Sequence, residues 1–141
     1  MGTSDGWTEI VFNGRDPVYL QVIRHFKERI ATGRLLPGQT IPSRREAAAA
    51  LKINPNTAQR AYKEMEEQRL IVTEGNSPSR ITQDAEVLRS IRSELVGSAV
   101  GALIAAIRNL DVPVEELLAH VRREYEASRA SKETGTEEEA P

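Results

Sequence analysis

Two helix-start signals stand eleven residues apart near the middle of this chain, and little fits between them. Ser43-Arg44-Arg45-Glu46 is a capping box: the serine oxygen takes the amide three residues on, and the glutamate answers back to the serine amide. Asn54-Pro55 is a cap followed by proline at the first helical position. The first signal opens onto Ala47-Ala48-Ala49-Ala50-Leu51, whose small side chains let a neighbouring helix approach. Lys52-Ile53 is left as a tight turn. A short helix, a tight turn and a further helix running to about Arg69 are therefore expected.

The flanks complete a pattern. Asp16-Pro17 repeats the start signal, with Asp16 as cap, and Tyr19, Val22, Ile23, Phe26 and Ile30 follow at helical spacing before Gly33. Leu35 to Gln39 reads as a turn, and Thr40-Ile41 before Pro42 as a very short strand. After the third helix, Leu70-Ile71-Val72-Thr73 is apolar and β-branched, hence a strand. Arg80-Ile81-Thr82 can pair back across the loop Gly75-Asn76-Ser77-Pro78-Ser79. Pro78 has no amide to give, so that second strand is expected to be short or absent. Upstream, Trp7 and Ile10-Val11-Phe12 read as a strand ended by Asn13-Gly14, after a disordered start.

Downstream, Asp84 caps a long helix whose apolar side carries Val87, Leu88, Ile91, Leu95, Ala99, Ala102, Leu103, Ala106 and Leu110. Asp111-Val112-Pro113 breaks it, and a last helix presents Val114, Leu117, Leu118, Val121 and Tyr125. This apolar side exceeds what a short final helix can cover, and a second copy would bury the rest. Gly97 and Gly101 are spaced to let two helices approach closely at such a seam. The expected fold is mainly α with a small β-hairpin. It comprises an N-terminal arm (1–15), a winged helix-turn-helix (16–82), a two-helix dimerisation appendage (83–128) and a disordered acidic tail (129–141).

Charge divides along the same lines. The net charge is −2, but it splits into −1 over residues 1–15, +4 over 16–82 and −5 over 83–141. The basic segment is the one expected to bind a polyanion. Absence of cysteine excludes a disulfide framework, a thiol nucleophile and cysteine-ligated metal sites. His25 and His120 lie too far apart to form a local metal motif, so neither metal nor cofactor is expected. Glu66-Glu67 and Glu115-Glu116 diverge by about 100° on a helix and read as solvated charges. No nucleophile with its base and no phosphate loop is recognisable, so an enzyme is not expected. The start of the chain lacks a signal-peptide pattern. Residues 95–107 form the most apolar stretch, 13 long, against about 20 needed to span a bilayer. A cytoplasmic protein with no membrane partner is expected.

The face of the third helix carries the function. At 100° per residue, Ala58, Ala61, Tyr62 and Met65 share one side, whereas Asn56, Gln59, Arg60 and Lys63 share the other. Amides and cations on an exposed face are the groups that address base edges and phosphates. Asn54, Asn56 and Thr57 lie at the start of the helix, where backbone amides also favour a phosphate. Arg80 is within the reach of a phosphate from the wing.

Four motifs together resemble the GntR family of bacterial transcription regulators: Asp16-Pro17-Val18-Tyr19-Leu20-Gln21-Val22, Gly33-Arg34-Leu35-Leu36-Pro37-Gly38, Ile41-Pro42-Ser43-Arg44-Arg45-Glu46, and Asn54-Pro55-Asn56-Thr57 with Ala61-Tyr62 and Met65-Glu66. The short appendage resembles the YtrA subfamily. The resemblance implies double-stranded DNA as partner. It implies that Arg45, and less closely Arg44, touch phosphate or base, and that Asn56, Thr57 and Gln59 match the contacting segment. Gly75 and Asn76 correspond to the wing tip, and the appendage to a dimerisation unit. The expected function is a homodimeric regulator, a repressor, bound to an inverted-repeat operator. A winged-helix protein-interaction module without DNA binding is the alternative, motivated by the acidic tail and the departure of the wing from the family pattern. A small-molecule effector between the terminal helices is a third reading, opposed by the small size of the appendage, since a roomy pocket takes about 300 Å³.

Overall fold

The computed structural model describes residues 9–139, with side chains as far as residue 133. Trp7 and the start of the arm lie outside the described residues. The order of elements is α1 (Val18–Ala31), α2 (Arg44–Leu51), α3 (Pro55–Glu67), β1 (Ile71–Val72), β2 (Arg80–Ile81), α4 (Ala85–Ile107), a short 3-10 turn (Arg108–Leu110) and α5 (Val114–Glu139). Two compact units divide the chain, Met1–Ser98 and Ala99–Pro141, the boundary falling within α4.

In the first unit, α1 and α2 both pack on α3. Val22, Phe26, Ala61, Tyr62 and Met65 are almost wholly buried where they meet. The Phe26 and Tyr62 rings sit edge to face, 6.1 Å apart, a preferred arrangement of aromatic pairs. Ile81 closes the core from the wing and Ile91 closes it from α4.

The start of α1 differs from expectation. Pro17, rather than Asp16, occupies the cap position, and no side chain caps the helix. Asp16 is engaged elsewhere: its Oδ2 accepts from Asn13 Nδ2 at 3.1 Å. Gln21 clasps the same loop, donating to the Asp16 carbonyl at 2.8 Å and accepting the Asn13 amide at 2.9 Å. The expected strand at residues 10–12 is absent; Ile10 and Phe12 pack on the core, while Val11 is 95% exposed. Residues 10–12 pair with no strand among the described residues.

The capping box of α2 forms as expected, with Ser43 Oγ accepting from the Glu46 amide at 3.1 Å and Glu46 Oε1 accepting from Ser43 at 2.8 Å. Lys52 then turns left-handed at φ 57° to release the chain into α3. Beyond α3, β1 and β2 pair antiparallel with Ile71 opposite Ile81. Residues 39–41 flank β2 on its other side: Ile81 donates to Gln39 at 2.9 Å, Ile41 donates to Ser79 at 3.0 Å, and Thr40 bridges Arg80. The wing is short but closed, and Pro78 sits in its loop, where no ladder bond is needed.

Asp84 caps α4 through its Oδ1, which accepts from Glu86 at 2.9 Å. Glu94 of this helix pairs with the nearly buried Lys27 at 2.8 Å. The expectation of a too-short apolar stretch needs correction. By length and composition the 26-residue segment Ala85–Leu110 would suffice to cross a bilayer, although only 6% of its apolar window is buried. The 13-residue stretch already includes Gly97, Ser98 and Gly101; counting it alone leaves out apolar residues on its flanks such as Ile91 and Leu110, which keep the mean hydropathy of a longer segment high. In the second unit, α5 continues through Glu139, into the tail expected to be unstructured. Ala, Glu, Lys and Arg in residues 126–133 favour a helix over coil.

Candidate nucleic-acid interface

Helix α3 presents the two faces the sequence expects. Ala58, Ala61, Tyr62 and Met65 are buried, and Asn56, Gln59, Arg60 and Lys63 are exposed. Besides its buried face, the helix is tied by the Tyr62 hydroxyl, which donates to the Pro42 carbonyl at 2.5 Å. That bond fixes the spacing between α3 and the residue just ahead of the α2 cap. Burial pushes the Tyr62 hydroxyl well above its ordinary range; the charge of Glu46 adds to this and Arg44 opposes it. Glu46 moves the other way, because it accepts from the Ser43 amide and hydroxyl, which hold its carboxyl below its usual 4.5.

The expected contact residues fall into two groups. Arg45, Asn56, Gln59 and Lys63 are exposed, and their side chains have no partner among the described residues. They are free to address a ligand, as is the exposed Asn76 on the wing loop, where Gly75 takes a left-handed φ of 57°. No acidic residue lies in the first turn of α3, so the positive end of the helix is not neutralised there.

The others are engaged within the chain. Asn54 Oδ1 caps α3, accepting from the Asn56 amide at 2.8 Å, and Thr57 is half-buried. Arg44 Nη2 reaches Glu66 Oε1 at 2.6 Å, across α2 and α3. Glu66 is thus a specific partner rather than the solvated charge that its sequence neighbourhood suggests. Arg80 lies 3.6 Å from Glu74 within the wing. Arg60 is stacked on Tyr19 of α1, with its guanidinium carbon 3.8 Å from the ring centroid. Periodicity read Tyr19 only as part of the apolar side of α1; its place in the Asp16–Gln21 motif was the available signal.

The residues expected at a dimer seam also divide. Ile91 is buried, and Leu88 and Leu95 pack beside it, in the core of the first unit. Ala99, Ala102, Leu103, Ala106, Leu110, Leu118 and Val121 are exposed and Leu117 is half-buried. Val96, Val100 and Ile104, which the sequence reading left out, are exposed as well. The second half of α4 is therefore apolar on all sides, not along one stripe.

Comparison with known proteins bears on this arrangement directly. Residues 18–81 match the family of bacterial regulatory proteins described as gntR. The HTH-type transcriptional regulator YhcF of Bacillus subtilis is 32% identical over 111 residues, covering 79% of this chain and 92% of YhcF. The chain belongs to the GntR family. As a GntR protein it is a DNA-binding transcription regulator with a winged helix. The HTH-type transcriptional repressor YtrA of Bacillus subtilis is 39% identical over 70 residues, covering 50% of this chain and 54% of YtrA. A GntR family regulator from Listeria monocytogenes superposes with a TM-score of 0.71 at 28% identity, covering 79% of this chain and 98% of that one. A match over 79% of the chain is longer than the winged helix itself, so the likeness continues past residue 82.

Proposed function

We propose that this protein is a homodimeric repressor that reads an inverted-repeat operator by placing α3 in the major groove. The observation that carries the reading is the exposed, unpartnered set Asn56, Gln59 and Lys63 on α3, with Arg45 on α2. Amides there suit base edges, and the cations suit phosphates. The similarity to the repressor YtrA supports the sign of regulation.

Pairing is supported by the second half of α4. A helix that is apolar all round is ordinarily buried, yet Val96, Val100 and Ile104 are 57%, 50% and 42% exposed. On α5, Leu118 and Val121 are similarly open. A second copy covers these faces and doubles the number of base contacts, which one reading helix supplies too sparsely for useful affinity.

Footprinting on the DNA immediately upstream of the protein's own gene tests the proposal, with sedimentation equilibrium in parallel. Two protected half-sites related by a dyad, about 10 base pairs between centres, and a dimer in solution are expected. Gln59→Ala should lose about 1–3 kcal/mol at particular base pairs, whereas Arg45→Ala should mainly flatten the salt dependence. A monomer protecting a single half-site, or no salt-sensitive protection, would overturn the reading.

A further inference from the structure

Arg60 does not stand free beside its neighbours on α3. Its guanidinium lies over the Tyr19 ring, 3.8 Å from carbon to centroid, and Nη2 donates to the Tyr19 hydroxyl at 3.1 Å. Tyr19 sits in the first turn of α1. That turn is anchored by the Gln21 clasp on the preceding loop, while α3 is anchored by the Tyr62 hydroxyl on Pro42. Two separately fixed elements therefore hold the stack.

The remaining donors all belong to one kind of ligand. A guanidinium has five N–H groups, and a phenol oxygen that accepts one of them keeps its own hydrogen to give. The pair thus offers several donors and one positive charge at one spot, with Arg60 exposed and Tyr19 half-buried, and no carboxylate bonded to either side chain among the described residues. This is the donor set for a phosphate oxygen. Arg60 occupies the flank of the Asn56–Gln59–Lys63 face, on the side turned to α1. With α3 in a groove, that flank meets the sugar–phosphate strand bordering the groove rather than the base edges.

We infer that Tyr19 and Arg60 form a composite clamp for one DNA phosphate, in which Tyr19 acts as a positioning residue for Arg60 and adds its hydroxyl as a second donor. The inference rests on the proposed placement of α3 in the major groove. It makes Tyr19 part of the DNA-binding surface although it lies outside both helices of the helix-turn-helix.

Fluorescence anisotropy with the footprinted duplex and a scrambled duplex, over a series of salt concentrations, tests the clamp. Arg60→Ala should weaken both duplexes alike, by about tenfold, and lower the salt slope by about one. Tyr19→Ala should weaken both several-fold in the wild-type background and much less in the Arg60→Ala background, where only its own hydroxyl contact is left to lose. Tyr19→Phe, which keeps the ring and the core packing, should fall between Tyr19→Ala and wild type. An equal loss from Tyr19→Ala in both backgrounds would reduce Tyr19 to a packing residue and overturn the clamp. So would an Arg60→Ala variant that changes base preference without changing the salt slope. Gln59→Ala separates the levels. If it loses selectivity while the Tyr19 and Arg60 variants bind normally, only the clamp fails; if it too binds normally, the groove placement fails with it.

Discussion

Replacing Ile91 with alanine distinguishes a core residue from a seam residue. Ile91 is 2% exposed, on α4, within the core that α1, α3 and the wing share. The change removes three carbon atoms from a site with almost no access to water. At about 0.8 kcal/mol per buried methylene, the transfer term alone comes to about 2.4 kcal/mol. The vacancy left between helices that cannot fully collapse adds to it, so about 3 kcal/mol is expected. Urea unfolding followed by far-UV circular dichroism, repeated over a range of protein concentrations, reads this. Ile91→Ala should lower the midpoint by the same amount at every concentration and leave the dimer dissociation constant unchanged. Leu103→Ala, on the exposed part of the same helix, should do the opposite. An Ile91→Ala variant that keeps its stability within about 1 kcal/mol while weakening self-association would refute the assignment of Ile91 to the core.

Other expectations follow from single contacts. The Tyr62 hydroxyl stays protonated in the folded chain above its ordinary value of 10.0, so the stability it confers is present below that pH and is lost as pH rises above it. Alkaline melting curves should show this loss, and Tyr62→Phe should flatten it while costing about 1 kcal/mol at neutral pH for the bond to Pro42. Ser43→Ala should cost about 1 kcal/mol by opening the α2 capping box, visible as a lower melting temperature. Gly101→Ala meets nothing within 4 Å in the chain itself, so it should stabilise an isolated helix by about 1 kcal/mol. If a partner helix approaches there, sedimentation should nevertheless show weaker association; unaltered or tighter association would place the seam elsewhere.

Much of the first unit was legible because its signals are local. The capping box at Ser43, the cap and proline at Asn54-Pro55, and the two faces of α3 each depend on residues within one or two turns. What escaped depends on distant partners. Nothing near Glu66 in sequence reveals that Arg44 will lie against it, and nothing near Lys27 announces Glu94. Periodicity placed Ile91 correctly on an apolar side of α4, but it does not tell whether that side faces its own core or another chain. The apolar stripe drawn there omitted Val96, Val100 and Ile104, because a search for one face is blind to a helix that is apolar on several. The failed N-terminal strand has the same origin: β-propensity describes a residue's fitness for a sheet, whereas a strand also needs a partner, and residues 10–12 pair with none among the described residues.

The uncovered apolar length of α4 has a consequence for gene dosage. On the proposed pairing, the number of functional readers scales with the square of chain abundance while subunits are scarce, and only linearly once they are plentiful. Halving synthesis near that threshold would then cut the number of paired readers by more than half. A cell could thereby turn modest changes in expression into a sharp release of the controlled genes without any inducing molecule.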